Sequence, residues 1–435
     1  MSAKEELRGD PAAQVNFPLY AVEMLTERHF VVGGGGGEAK TGVRNGFTTF
    51  QLSFNGQHCV ATEVGDHNTG RFAVMNCSCY EDVKAKKLYV VAGLDDTSQL
   101  YFMNKKFEMA RSYSYSDQNE NDNTPDNSMR NRKERQNSSL DSSQSPESLR
   151  KDLLSQRRLR MLAVPMNCVK TDQSPTESFQ KVVRISSNGK LMATGGCDGY
   201  VRLWQFPSLK PLRDIRAHNK EVDDVDFSPD CQKIVSVSKD GCAFVWSKDG
   251  NRVSQLEWST PQNAKYLFKR CRFGLGENGG RPRLFTIVNP VGNSKLPSFL
   301  QLWDTSSFLL IKSVAYNSSP LSALASSPCG KFVAVGSMSG GAVNIFTSFN
   351  LQLIKSVKEA HTNFITGLCF VPCHTEVGQN ITGMSEAAVI SISVDNQVRV
   401  HRVPHRRWLL PLWAAFLIIF IVVCATFFLC SFLGL

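Results

Sequence analysis

Apolar residues along this chain recur with a period of two far more often than with a period of 3.6. Residues 179–206, FQKVVRISSNGKLMATGGCDGYVRLWQF, alternate through a first strand, turn at S-S-N-G, run on in small and β-branched residues, turn at C-D-G and close on Trp204. Successive strand side chains point to opposite faces, so such alternation marks strands with one face against a core, and Gly, Asn, Asp and Pro punctuate them. Residues 217–247 repeat the plan, with turns at S-P-D and S-K-D-G and a last strand ending in Trp246. The two tryptophans lie 42 residues apart, and the dipeptide Ala-His recurs at Ala217–His218 and Ala360–His361, where an outer strand hands over to the next unit. A four-stranded unit repeating every 40 to 45 residues or so is the signature of a propeller blade.

Looser copies occupy residues 17–52, 71–102, 269–303 (with a longer loop over 274–282), 321–346 and 365–400, which brings the total to seven. The sequence therefore predicts an all-β fold, a seven-bladed WD-repeat β-propeller over 17–403, behind an N-terminal tail over 1–16. His218 and His361, with nearby Asp226 and Asp395, are expected to serve hydrogen-bond networks inside blades. Residues 104–175 change in composition to Asn, Ser, Asp, Gln and Arg. Such a segment buries no core, so it is predicted as a disordered loop between the second and third blades, with a short helix near 149–162 and no assigned function.

The exception to strand periodicity comes last. From Trp408 to Leu435 the chain runs 28 residues without Asp, Glu, Lys or Arg, and a bilayer span takes roughly 20. Residues 404–435 are therefore read as a basic stem and a single transmembrane anchor. Arg402, His405, Arg406 and Arg407 precede the apolar run, and basic flanks stay cytoplasmic. The N-terminal MSAKEELRGD lacks the apolar core of a signal peptide. The expected topology is a cytosolic propeller with a lumenal C-terminus. The Asn-x-Ser/Thr triplets at Asn76, Asn137, Asn317 and Asn380 are then chance matches on the side that is not glycosylated. The 13 cysteines, odd in number and set in apolar runs, fit reduced thiols, and Cys77 and Cys79 have no second pair at metal-ligand spacing.

Charge alters the picture little. The net +10 is spread along the chain, with its largest shares in the 104–175 insert and the stem. Nucleic-acid binding would call for basic residues clustered on a groove-reading or base-stacking element, and none is recognisable. Nor does a nucleophile, base and orienting group occur together, so no covalent enzyme is expected. What the repeats leave unexplained is VVGGGGGEAKTGVRNG, a loop between a strand ending at Val32 and one starting near Phe47. A phosphate-binding loop needs Gly directly before Lys and a helix after it; here Ala39 precedes Lys40 and a strand follows. Five consecutive glycines are costly to order. Keeping them in a compact blade points to a backbone that passes close to something, with carbonyls free to gather round an ion or a partner. Arg44 and Asn45 are the expected partner contacts.

Taken with N-F-P-L-Y-A at residues 16–21, the TGGCDGYVRLWQFPSL and SVSKDG turns and the C-terminal apolar run, this loop resembles the prolactin regulatory element-binding family. These are endoplasmic-reticulum exchange factors for the small GTPase that starts coat complex II assembly. The similarity runs from about residue 17 to 435, outside the insert. It implies a guanine nucleotide exchange factor at the endoplasmic reticulum membrane that starts vesicle budding toward the Golgi. It also implies that Gly33, Gly34, Gly35, Gly36, Gly37, Thr41, Gly42, Arg44 and Gly46 form the GTPase-contact loop, organised around a bound potassium ion. Asn45, matching the Asn that closes the family's motif, is implied as the residue inserted at the nucleotide site. Two alternatives stand beside this. A membrane-tethered scaffold explains everything but the loop, and the family name carries a DNA-binding regulator for which no groove-reading element is present.

Overall fold

The computed structural model describes residues 8–38, 42–109, 157–261, 264–292, 296–316, 319–405 and 412–433. Seven four-stranded antiparallel sheets form a ring of blades. Blade 1 is β2 (Leu19–Met24), β3 (His29–Gly34), β4 (Gly46–Phe54) and β5 (Cys59–Asn68). Blade 2 is β6 (Val74–Asp82), β7 (Lys87–Leu94), β8 (Thr97–Met109) and β9 (Arg157–Lys170). Blades 3 to 6, β10 to β25, follow over residues 180–357. Blade 7 takes β26 (Ile365–Val371), β27 (Ser385–Ser393) and β28 (Gln397–Pro404) from one end of the chain and its outer strand, β1 (Asp10–Gln14), from the other. The seven-bladed WD-repeat propeller expected from the repeats is the fold observed.

Buried apolar side chains lie between neighbouring blades. At the seam of blades 7 and 1, Phe30, Val32, Phe50 and Leu52 pack with Ile390, Ile392, Val398 and Val400. The handover histidines do what their position predicted. His218 Nδ1 lies 3.0 Å from Asp240, and Ser236 Oγ is shared between His218 Nε2 at 2.8 Å and Trp246 Nε1 at 2.9 Å. In blade 7, His361 pairs with Asp395 at 3.0 Å and with Ser391, and His401 Nε2 takes the tryptophan's place at 2.8 Å from Ser391 Oγ. Asp226 is not in either network; it faces the central axis and accepts the Phe273 N–H at 2.7 Å.

Three expectations need correction. The tail over 1–16 contains β1, in which Asp10 pairs opposite Val400 and Gln14 opposite Gln397. Its five residues carry Pro11 at an edge-strand irregularity, the position where a missing N–H costs no ladder bond, and so short a strand leaves no periodic signal. The insert is narrower than 104–175 and lies inside blade 2, because Asn104 pairs with Leu162 and the ladder continues to Met109 opposite Arg157. The stretch near 149–162 is strand from Arg157 onward rather than helix, since Leu159 and Met161 pack into the blade. Residues 110–156 lie outside the described residues.

The C-terminal helix, α2, runs Leu412–Leu433 over 22 residues; a shorter α1 (Glu376–Ile381) precedes β27. Trp408 and Leu435 lie outside the described residues, and described side chains of α2 begin at Phe416. Counted on the described residues, no helix is long and apolar enough to cross a membrane.

Strand order gives the disc two distinct faces. Leu19, Gly34, Gly46 and Asn68 share one end of blade 1, so the β3–β4 loop opens on the face where blade connects to blade. Met109, Arg157 and Pro404 lie at the opposite ends of their sheets. The chain therefore leaves for α2 from the face opposite the glycine loop, here called the stem-side face.

A polar latch holds β1. Asp10 accepts from the Cys59 N–H at 2.9 Å, lies 3.0 Å from His58 Nδ1 and pairs with Arg402 Nε at 2.7 Å. Burial pushes the Asp10 carboxyl up, but the Cys59 N–H, His58 and Arg402 outweigh it and hold its pKa below the ordinary value. A depressed carboxylate contributes stability that is present above its unfolded pKa, about 4, and lost as pH falls through the lower folded value. The Asp10→Ala chain should lose about 2 kcal/mol at pH 7 by urea denaturation, with the gap to wild type closing below about pH 4. A gap unchanged at pH 3 would contradict the latch.

Candidate functional site

The glycine run is built for close packing more than for freedom. Gly33 and Gly34 belong to β3 and Gly46 to β4, so the strands enter the motif and leave 35–45 as the loop. A Cβ on Gly34 would stand 1.8 Å from the Pro18 carbonyl oxygen, one on Gly46 2.1 Å from that of His67, and one on Gly33 2.5 Å from Val74. Gly35, with φ +138°, sits on the Asn45 side chain, where a Cβ would fall 2.3 Å from Oδ1. Its N–H donates to the Pro18 carbonyl at 3.0 Å. These glycines let blade 1's inner connector, its hairpin and the Asn45 amide nest on one another. Gly37 and Gly42 instead take positive φ in open space and turn the exposed part of the loop. Gly36 is half-buried between the two regimes. Thr41, with Ala39 and Lys40, lies outside the described residues.

Asn45 is the brace. It is 4% exposed. Its Oδ1 accepts the Gly37 N–H at 2.9 Å, and its Nδ2 lies 3.0 Å from Gly37 O, 3.0 Å from Gly70 O and 2.9 Å from Arg71 O. Its own carbonyl accepts the Thr69 N–H at 3.2 Å. One side chain therefore ties the start of the loop to its end and to the connector between blades 1 and 2. The expectation is that Asn45 contacts a partner and is inserted at its nucleotide site; in this chain alone every polar atom of its side chain is engaged internally. The three carbonyls converging on Nδ2 exceed the two hydrogens that nitrogen can donate, so carbonyl lone pairs are in surplus at this point.

Arg44, directly before it, makes a two-pronged ion pair with Asp66 on β5, one prong at 2.6 Å, and its guanidinium lies 5.4 Å from the Phe17 ring centre. Thr48 Oγ donates to the same carboxylate at 3.0 Å. Planar, forked pairing of this kind fixes direction as well as charge. Arg44 thus anchors one flank of the loop. At the exposed tip, Glu38 pairs with Arg71 at 2.6 Å, with both side chains more than half exposed, which is worth little to stability. Sequence reasoning missed Asp66, Gly70 and Arg71, which no motif marks, and Pro18, whose carbonyl is what makes Gly34 obligatory.

A concavity of about 820 Å³ lies along the axial channel, away from the loop. Its charges satisfy one another: Arg272 meets Asp224 at 2.6 Å and Arg184 meets Glu23 at 3.3 Å. Burial pushes the Asp226 carboxyl up to about 6 despite Arg272 and Arg184 beside it. Among the described residues no cluster of His, Cys, Asp and Glu is arranged to hold a metal ion. The fold and site define a WD-repeat propeller whose distinctive surface is one braced, carbonyl-rich loop.

Comparison with known proteins gives that class a family. The WD domain, G-beta repeat family matches residues 166–205 and 209–247, from the end of the outer strand of blade 2 through much of blades 3 and 4. Guanine nucleotide-exchange factor SEC12 of Rattus norvegicus is 32% identical over 424 residues, 95% of this chain and 96% of its own. The same factor from Mus musculus is 32% identical over 426 residues with the same coverage, and SEC12-like protein 1 of Arabidopsis thaliana is 30% identical over 45% of this chain and 46% of its own. The chain belongs to the SEC12 guanine nucleotide-exchange factor family.

Replacing Asn45 by Ala removes the brace without touching a blade core. Amide hydrogen exchange over 35–46 should accelerate at least about tenfold, corresponding to about 1.4 kcal/mol or more of lost loop ordering, while the urea midpoint of the propeller moves little. Unchanged exchange over 35–46 would show that the loop is held by something else.

Proposed function

We propose that this chain is a guanine nucleotide exchange factor that activates the coat complex II small GTPase at the endoplasmic reticulum membrane, with the 35–45 loop as its working element. The observation that carries this reading is the Asn45 brace. A buried amide engages both its oxygen and its nitrogen to hold a glycine loop outside any blade core. Exchange needs no covalent chemistry. It requires a complex that is more stable with the nucleotide-free GTPase than with the bound form, and a loop ordered in advance avoids an entropic cost on binding. The protein is accordingly a regulator of a GTPase.

Within this reading, Asn45 and Arg44 act chiefly as positioning residues, and Gly36, Gly37, Glu38 and Gly42 present the contact surface. The carbonyls of Gly37, Gly70 and Arg71 meet the Asn45 Nδ2 with lone pairs to spare, and uncharged carbonyl oxygens of this kind suit a hard monovalent cation such as potassium held beside the amide. When bound, the ion would supply rigidity to the loop. α2 is read as the single membrane span. This reading rests on the sequence, in which the helix lies within the 28-residue run 408–435 that carries no Asp, Glu, Lys or Arg, where a span takes roughly 20. The propeller then faces the cytosol. Anchoring concentrates the exchange factor at the membrane that the activated GTPase must enter, a gain in local concentration with no new contact.

Full chain in vesicles should release nucleotide from the coat complex II GTPase, and Asn45→Ala should slow release at least about tenfold with an unchanged urea midpoint. Replacing potassium by sodium should slow release and accelerate amide exchange over 35–46. Wild-type release rates from Asn45→Ala would remove the loop from the mechanism, and no release by wild type would return the protein to the scaffold reading.

A further inference from the structure

Blade 2 ends on the stem-side face in an edge unlike that of its neighbours. The β6–β7 turn reads Val83-Lys84-Ala85-Lys86-Lys87, every residue of it exposed and Val83 75% so. Beside it, β8 runs on through exposed Lys105, Lys106 and Phe107, the last 69% exposed, and the paired start of β9 adds exposed Arg158 and Arg160. Lys105 lies within electrostatic reach of Glu81 on β6 and of His29 on blade 1, so turn and hairpin form one surface. Among the described residues, the acids near these seven cations are Glu27, Glu81, Asp82 and Glu108, of which Glu108 is 3.7 Å from Arg160. Positive charge is left over, and two large apolar side chains stand in the middle of it.

Lysines on a strand edge commonly serve to prevent unwanted pairing, and that reading would explain the charge. It leaves Val83 and Phe107 unexplained, since exposing apolar groups invites the association such lysines prevent. Apolar tips ringed by amines suit the boundary of headgroup and acyl chain in an anionic leaflet, where each Lys or Arg changes partitioning about fivefold. Position favours this occupant over a protein. Pro404 leaves the disc on the same face, and the seven residues 405–411 before α2 span at most about 28 Å when fully extended. That is no more than the length of nine-residue β4, about 30 Å, which spans the disc from face to face. The stem-side face is thus the one held close to wherever α2 resides.

We propose that this blade 2 edge is a second membrane contact that binds anionic phospholipid headgroups and seats the propeller on the bilayer with its glycine loop turned away. The proposal rests on reading α2 as a membrane helix, and a GTPase would then approach the loop from the cytosolic side. The test uses full chain reconstituted in phosphatidylcholine vesicles and in the same vesicles with about 30% phosphatidylserine, at about 0.1 and 0.5 M salt. Amide exchange over 82–88 and 104–109 should slow at least about fivefold on the anionic vesicles at low salt only. The quadruple variant Lys84→Glu, Lys86→Glu, Lys105→Glu, Lys106→Glu, with wild-type urea midpoint, should lose the effect. Equal exchange on both vesicles overturns the proposal, as does protection that survives charge reversal. Flotation with neutral vesicles at about 0.5 M salt reports the helix separately. A chain that floats there but gains no anionic protection keeps its anchor and loses this contact, and one protected without floating does the reverse.

Discussion

Ring closure is the constraint on which the rest of this structure depends. A propeller exposes two raw sheet faces until its last blade meets its first, and here the meeting is made by five residues, Asp10–Gln14, on the outer edge of blade 7. The same segment continues through Val15, whose N–H donates to the Asn396 carbonyl at 3.0 Å, and on to Phe17 and Pro18. Those two residues are the floor of the glycine loop: the Pro18 carbonyl takes the Gly35 N–H, and Phe17 lies under Arg44. The site is therefore assembled at the seam where the ring is closed. Asp10, Cys59 and Arg402 lock the far side of that seam with buried and half-buried polar contacts.

What makes the loop suited to its proposed work is the division of labour among its glycines. Three at the start and one at the end permit backbone and side chains to approach within distances no Cβ allows, and two in the exposed part bend it. A run of glycine alone would be mobile and would give up much of its binding energy on ordering. The Asn45 amide and the Arg44–Asp66 fork supply that order before any partner arrives. The preference for a nucleotide-free partner is then a difference between two complexes, which is all that exchange requires.

Most of the architecture was legible because propeller blades repeat. The 42-residue spacing of Trp204 and Trp246 and the Ala-His handovers report strands that exist seven times over, so local ambiguity averages out. β1 was not legible: five residues with a proline carry no period, and their partner lies almost 400 residues away. The end of β8 and all of β9 were read as insert because polar Asn104, Lys105 and Lys106 face solvent on a long hairpin whose apolar half is short. The glycine loop announced itself by composition and by family resemblance. Composition could not tell that Asn45 points inward, because its partners are backbone carbonyls of Gly37, Gly70 and Arg71, and no side-chain pattern records a carbonyl.

The two faces of the disc give the molecule a polarity, with the loop on one side and the route to α2 on the other. The central claim, that the braced loop alone reads the nucleotide state of a GTPase, is tested most directly by amide exchange on the wild-type chain mixed with the coat complex II GTPase. The account predicts added protection over 36–44 and over the 69–72 connector with the nucleotide-free GTPase, and much less with the GDP-bound form. Protection confined to other blades, or equal protection by both forms, would contradict it.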